Sequence, residues 1–142
     1  MDYAIHVAET PEAIRACHPV IVQLRPHLEE EALVSQVLRQ SKGGYRLAAL
    51  EAGGAVRAVA GYRHFETLAW GRICYVDDLV TDAASRSQNL GRAMFEWLLA
   101  RAREADCDQL HLDSGVQRFD AHRFYLARRM AITSHHFAIP LR

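Results

Sequence analysis

A chain of 142 residues with 17 basic and 17 acidic side chains carries no formal net charge, and 50% of it is hydrophobic against 24% charged. That length suits a single domain, able to bury roughly 70% of its unfolded surface without a disulfide or metal staple, and the mix excludes disorder and collagen-like repetition. Balanced charge argues against nucleic-acid binding, short apolar runs against a membrane span, and the lack of a secretory pattern over Met1 to Glu9 makes the cytoplasm the expected compartment.

No repeat, low-complexity stretch or Pro/Gly-rich linker divides the chain, so one domain over residues 1–142 is expected. Lys42 is the only lysine beside sixteen arginines, which reads as codon bias from a GC-rich genome. Cys17, Cys74 and Cys107 are odd in number and widely spaced, as reduced structural thiols are.

Tyr3 to Ala8 reads as a short first strand. Thr10 and Pro11 supply an N-cap and a first-turn proline for a helix to about Leu24, which Pro26 ends. Leu28, Ala32, Val34 and Leu38 space a second helix from about Leu28 to Gln40, stopped by Gly43-Gly44. Tyr45 to Glu51 and Val56 to Phe65 are β-rich runs around Gly53-Gly54, the chemistry of a tight hairpin. Arg72 to Thr81 has almost no alternation, which suits a strand buried on both faces.

From Asn89 to about Ala105, Leu90, Met94, Trp97 and Leu98 repeat at helical spacing, and Gln109 to Asp113 follows as a strand. Strand, helix and strand make a βαβ unit whose strands are parallel and joined right-handedly. Asp120 is a good N-cap for a helix to Met130, and Ile132 to Ile139 reads as a last strand. The order predicts an α+β fold: a mixed, largely antiparallel sheet with one parallel βαβ pair and helices on both faces. Doubly wound topology is excluded, because the first three strands lack alternating helices.

Asp77 to Ala93 joins the buried strand to the amphipathic helix through a short polar loop. Its amides and the positive end of the helix dipole favour an anion, Gly91 permits close approach, and Arg86 and Arg92 add charge. By spacing alone, a plain strand-to-helix connection fits equally well. Neither a P-loop nor a dinucleotide fingerprint is present.

These residues resemble the GCN5-related N-acetyltransferases, which move an acetyl group from acetyl-CoA to an amine. Arg86-Ser87-Gln88-Asn89-Leu90-Gly91 matches the family's pyrophosphate pattern Arg/Gln-x-x-Gly-x-Gly/Ala except that Asn89 replaces the first Gly, and Asn is the residue that best tolerates left-handed backbone after Gly. Ala121-His122-Arg123-Phe124-Tyr125-Leu126 resembles the Ala-x-x-x-Tyr segment of the last helix. The element order agrees over essentially the whole chain. Arg129 stands where Gly usually closes that helix, and Arg118 where an Asn often meets the pantetheine arm.

The resemblance implies acetyl-CoA as co-substrate, with no metal. Parallel strands splay apart, the main chain of Leu79, Val80 and Thr81 holds the pantetheine arm, and Arg86, Ser87, Gln88, Asn89, Leu90, Gly91 and Arg92 hold the pyrophosphate. Tyr125, a core aromatic by spacing alone, becomes the proton donor to the leaving thiolate. Asp77 and Asp78 are adjacent carboxylates on a strand whose successive side chains point oppositely, so one is expected to face the acceptor cleft. The resemblance puts Asp77 ahead of Asp78 as base, against the alternative of a buried carboxylate paired with Arg.

His64, His111 and His122 are weaker base candidates, each more simply a structural histidine. His135-His136 point oppositely on a strand and lack a second ligand pair, so metal is discarded. Glu29-Glu30-Glu31 reads as a solvated helix start, with an acidic rim to the acceptor site as the alternative. The expected activity is N-acetylation of a primary amine on a small molecule or peptide, with a homodimer allowed and neither nucleic acid nor membrane as partner. The rival is a non-catalytic CoA-binding regulatory module of the same fold.

Overall fold

The computed structural model describes residues 2–142 and divides into two compact units, Met1–His111 and Leu112–Arg142. The first unit contains β1 (Tyr3–Val7), α1 (Pro11–Leu24), α2 (Glu30–Ser41), β2 (Arg46–Ala52), β3 (Ala55–Thr67), β4 (Gly71–Thr81), a 3₁₀ turn (Ala83–Gln88) and α3 (Leu90–Glu104). The strands form one sheet in the order β1-β2-β3-β4-β5, where β5 (Gln109–Leu112) lies parallel to β4 and the other neighbours are antiparallel. No described helix is long and apolar enough to cross a membrane.

Local chemistry places these elements where the pattern predicts them. The Thr10 hydroxyl accepts from the Ala13 N–H at 3.2 Å, and Pro11 opens α1 without a missing donor. Gly53 and Gly54 turn the β2–β3 hairpin with φ of 61° and 80°, the positive pair that a tight primed turn requires. β2 lies inside the sheet between β1 and β3, and Leu47 to Leu50 are buried.

One face of the sheet carries Leu47, Ala49, Val59 and Val80 into a core with Ile14, Cys17, Val20 and Ile21 of α1 and Leu33, Val34 and Val37 of α2. The opposite face of β3 meets α3, where the Trp97 ring packs edge-on against Tyr62 at 5.8 Å. Helices therefore cover both faces. Burial pushes the Cys17 and Cys74 thiols up to about 12, which leaves them protonated and unreactive.

The second unit holds α4 (Phe119–Ala127). Two expectations change here. The N-cap is Arg118 rather than Asp120, which sits in the first turn and pairs with Arg123 at 2.7 Å. No strand forms over Ile132 to Ile139, and residues 131–142 are exposed without regular structure. A strand needs a partner for its N–H and C=O groups, and a β-rich composition does not provide one.

Arg129 ends α4 in the left-handed region with φ of 69°. Its N–H donates to Leu126 O at 3.1 Å and the Met130 N–H to Tyr125 O at 3.2 Å, the paired closure usually built on glycine. Arg129→Gly should therefore raise unfolding stability by about 1 kcal/mol in urea denaturation; an unchanged midpoint would show that the arginine is unstrained there.

Candidate active site

β4 is antiparallel to β3 along nearly its whole length, but one residue is out of step. Val76 faces Tyr62 and Asp78 faces Gly61, which leaves Asp77 as the extra residue of a β-bulge. A bulge absorbs one step of the alternation, so both carboxylates lie on the α1 side of the sheet rather than on opposite faces.

Each is taken up by an arginine. Arg63 donates to both oxygens of Asp77, through Nε at 2.9 Å and Nη2 at 3.0 Å. Arg25, the C-cap residue of α1, donates from Nε to Asp78 Oδ1 and from Nη2 to the Asp77 carbonyl, both at 3.0 Å. The second oxygen of Asp78 accepts from the Tyr45 hydroxyl at 2.7 Å. Burial, then the Asp78 carboxylate, hold the Tyr45 phenol far above its ordinary value, so it stays protonated and donates. The Asp77 and Asp78 side chains keep 25% and 16% of their exposure, so the pair is lodged beneath the surface but within reach of solvent.

β5 is much shorter than its neighbour. The Asp108 N–H donates to Arg72 O at 2.7 Å, so β5 starts beside the beginning of β4 and stops after four residues. It flanks only the first half. Leu79, Val80 and Thr81 pair with Ala60, Val59 and Ala58 on one side and lie beyond β5 on the other.

Past Thr81 the chain is held from below. The Gln23 side-chain amide of α1 donates to Asp82 Oδ1 at 2.9 Å, and its oxygen accepts the Ala83 N–H at 3.0 Å. Asp82 also pairs with Arg57 at 3.6 Å and accepts from the Ser85 hydroxyl at 3.4 Å. These bonds, the one from Gln23 foremost, hold its carboxyl below the usual range. Arg86, Ser87, Gln88 and Asn89 are exposed above this clamp. Asn89 adopts φ of 60° and ψ of 23° as the N-cap of α3, and no side chain caps that end. The first amides of a helix have no partner within it, so Leu90, Gly91 and Arg92 open α3 with donors available to an anion. The Arg92 guanidinium pairs with Glu96 at 3.0 Å on the exposed helix face.

Tyr125 belongs to the second unit. It stands edge-on to Phe124 at 5.6 Å, and burial raises its phenol, with Arg118 pulling the other way. It therefore remains protonated at neutral pH. The histidines have structural partners: His122 meets Gly115 O at 2.8 Å, and the His111 ring lies 4.3 Å from Trp70. His64 is driven down by burial first, and so is neutral. The residues that sequence reasoning missed are Gln23, Arg25, Tyr45, Arg57 and Arg63, each far from its partner in the chain and without any local signal.

Residues 8–130 match the acetyltransferase (GNAT) family. The chain is 34% identical over 109 residues to the uncharacterized N-acetyltransferase YhdJ of Bacillus subtilis strain 168, spanning 76% of this chain and 77% of that protein. It is 33% identical over 82 residues to the aminoalkylphosphonate N-acetyltransferase of Salmonella typhimurium, spanning 58% of this chain and 53% of that one. In fold it resembles AAC(6')-Iy, solved with the bisubstrate analogue CoA-S-monomethyl-acetylneamine, at a TM-score of 0.82 and 11% identity over 100% of this chain and 99% of that one.

Gly61 is buried opposite Asp78, and a Cβ there would run into the Tyr45 hydroxyl and Asp78 Oδ2. Gly61→Ala should destabilise the protein by about 1–3 kcal/mol, the range for overpacking, measured as a lowered Tm or urea midpoint. Unchanged stability would mean that Tyr45 moves aside at no cost.

Proposed function

Because the chain belongs to the acetyltransferase (GNAT) family, we propose that residues 1–142 act as one domain that transfers an acetyl group from acetyl-CoA to a primary amine by direct attack. The observation that carries the reading is the strand–turn–helix segment from Leu79 to Arg92. It combines a strand edge beyond the reach of β5, a left-handed Asn89 and an uncapped helix start. Unpaired main-chain groups on the strand suit the amides of a pantetheine arm. The opening amides of α3 with Arg86 and Arg92 suit a pyrophosphate. The acceptor is a small molecule or a peptide amine, and the relative that acts on aminoalkylphosphonates favours the small molecule. Zero net charge fits neither nucleic acid nor an anionic membrane.

Three tasks fall to the chain's own residues. Main-chain groups of Leu79, Val80 and Thr81 align the thioester. Tyr125, kept protonated by burial, gives its proton to the departing thiolate. Asp77, the more exposed of the acidic pair, accepts the amine's proton through a water, with Asp78 as the second candidate. Arg63, Arg25 and Tyr45 occupy the carboxylate oxygens, which is why a water relay suits them better than direct contact.

Gly91→Val should weaken acetyl-CoA binding at least ~10-fold by calorimetry in a folded protein, because a branched side chain blocks close approach of the pyrophosphate. Unchanged affinity would remove the loop from the binding site. Acetyl-CoA binding without thiol release against any amine of a pooled library would instead identify a non-catalytic CoA-binding module.

Tyr125→Phe should lower kcat by ~100-fold to 10,000-fold while acetyl-CoA affinity stays near normal. Asp77→Asn should reduce activity most at acidic to neutral pH, where the amine must lose a proton, and the deficit should shrink as pH rises. Full turnover in both variants would overturn these roles. Impairment of Tyr125→Phe alone would move the base to Asp78 or to a water chain.

A further inference from the structure

Four charged side chains meet where β3 and β4 pass the C-terminal end of α1: Arg63, Asp77, Asp78 and Arg25. Their charges sum to zero, and each carboxylate oxygen already has a donor from Arg63, Arg25 or Tyr45. The guanidiniums are less fully engaged. An arginine carries five N–H groups in a planar fork. Arg63 gives Asp77 one from Nε and one from Nη2, and Arg25 gives one from Nε to Asp78 and one from Nη2 to the Asp77 carbonyl. No described residue accepts from Nη1 of either, and the two side chains keep 40% and 41% of their exposure. Each therefore turns a charged, unpaired edge toward solvent.

These edges are fixed in direction. The Arg63 guanidinium carbon lies 5.2 Å from the ring centroids of both Phe65 and Tyr75, and the bidentate contact with Asp77 sets the rotation of its plane. Arg25 is held by two bonds to consecutive residues of β4. Both guanidiniums bond to Asp77, one at its carboxylate and one at its main chain, which brings two oriented cations to a single residue. A fork held in this way loses little freedom on meeting an oxyanion.

We infer that this cluster binds a small zwitterion: a primary amine whose anionic group, a carboxylate or a phosphonate, takes the unpaired N–H groups of Arg63 and Arg25 while its ammonium lies toward Asp77 and Asp78. Two cations and two anions match a ligand that carries one of each. An amine without an anion leaves both guanidinium edges unpaired, and an anion without an amine meets two carboxylates with no cation of its own. Arg63 and Arg25 thus select the ligand as well as neutralising the acidic pair. That this ligand is the acetyl acceptor rests on the acetyl-transfer reading; that it binds here does not.

Calorimetric titration of the full chain with 2-aminoethylphosphonate, β-alanine, n-propylamine and ethylphosphonate tests the inference. One of the two zwitterions should bind ~30-fold or more tightly than n-propylamine, and the tighter of them names the anion. 2-Aminoethylphosphonate should also bind ~10-fold or more tightly than ethylphosphonate. Arg63→Gln should bring the ratio of zwitterion to n-propylamine affinity below ~3-fold. Arg25→Gln should lower the same ratio, so the test survives if one variant fails to fold. A merely structural role for the arginines would weaken zwitterion and n-propylamine alike, and an unchanged ratio in both variants would overturn the inference. Equal binding of n-propylamine and both zwitterions by the wild-type chain would overturn it too. So would ethylphosphonate binding as tightly as 2-aminoethylphosphonate, the mark of a plain anion site. Thiol release from acetyl-CoA is read separately with the same compounds. Selective zwitterion binding without release would uphold the site and overturn the acetyl-transfer reading.

Discussion

The bulge at Asp77 is the constraint on which the site depends. One extra residue between Val76 and Asp78 turns two successive carboxylates onto the same side of the sheet, where opposite faces would otherwise receive one each. Two anions that close repel one another unless cations separate them. Arg63 and Arg25 provide that compensation, and Tyr45 satisfies the remaining oxygen of Asp78. Gly61 supports the arrangement by having no side chain where Tyr45 and Asp78 meet. A partly buried network of this kind holds its geometry because each member would leave another unpaired if it moved.

α1 connects this network to the loop beyond β4. Gln23 and Arg25 lie near its C-terminal end, and they reach different parts of the same strand–loop segment: Gln23 holds Asp82 and Ala83, and Arg25 holds Asp78 and the Asp77 carbonyl. The helix is itself anchored by Ile14, Cys17, Val20 and Ile21 in the core. The exposed turn from Arg86 to Asn89 therefore rises from an anchored base. Asn89 adopts the left-handed conformation with φ of 60°, which asparagine tolerates better than other residues with a side chain.

Much of the fold was legible in the sequence, because its signals are local. Thr10-Pro11, Gly53-Gly54 and the Leu90-Met94-Trp97-Leu98 spacing each act within a few residues, through a cap, a turn and an amphipathic face. The order of strands and helices then left few ways to arrange the sheet. Asn89 and Arg129 could be marked for left-handed backbone through the resemblance, which places a glycine at each position. Tyr125 could be singled out only by resemblance, since a half-buried aromatic on a short helix carries no chemical signal of its own.

Tertiary structure decided what depends on distant partners. The bulge at Asp77 arises from pairing with β3, and alternation along β4 by itself predicts the opposite placement of the two carboxylates. Arg25 and Asp78 stand 53 residues apart, and Gln23 and Ala83 60 apart, distances over which no periodicity operates. The same reason governs the C-terminal segment. Its alternation reads as a strand, but a strand exists only where a second one meets its hydrogen-bonding edge, and within residues 131–142 no such edge is present. Composition and spacing set the propensity of each segment, and the partner that each one meets in three dimensions set the geometry of the site.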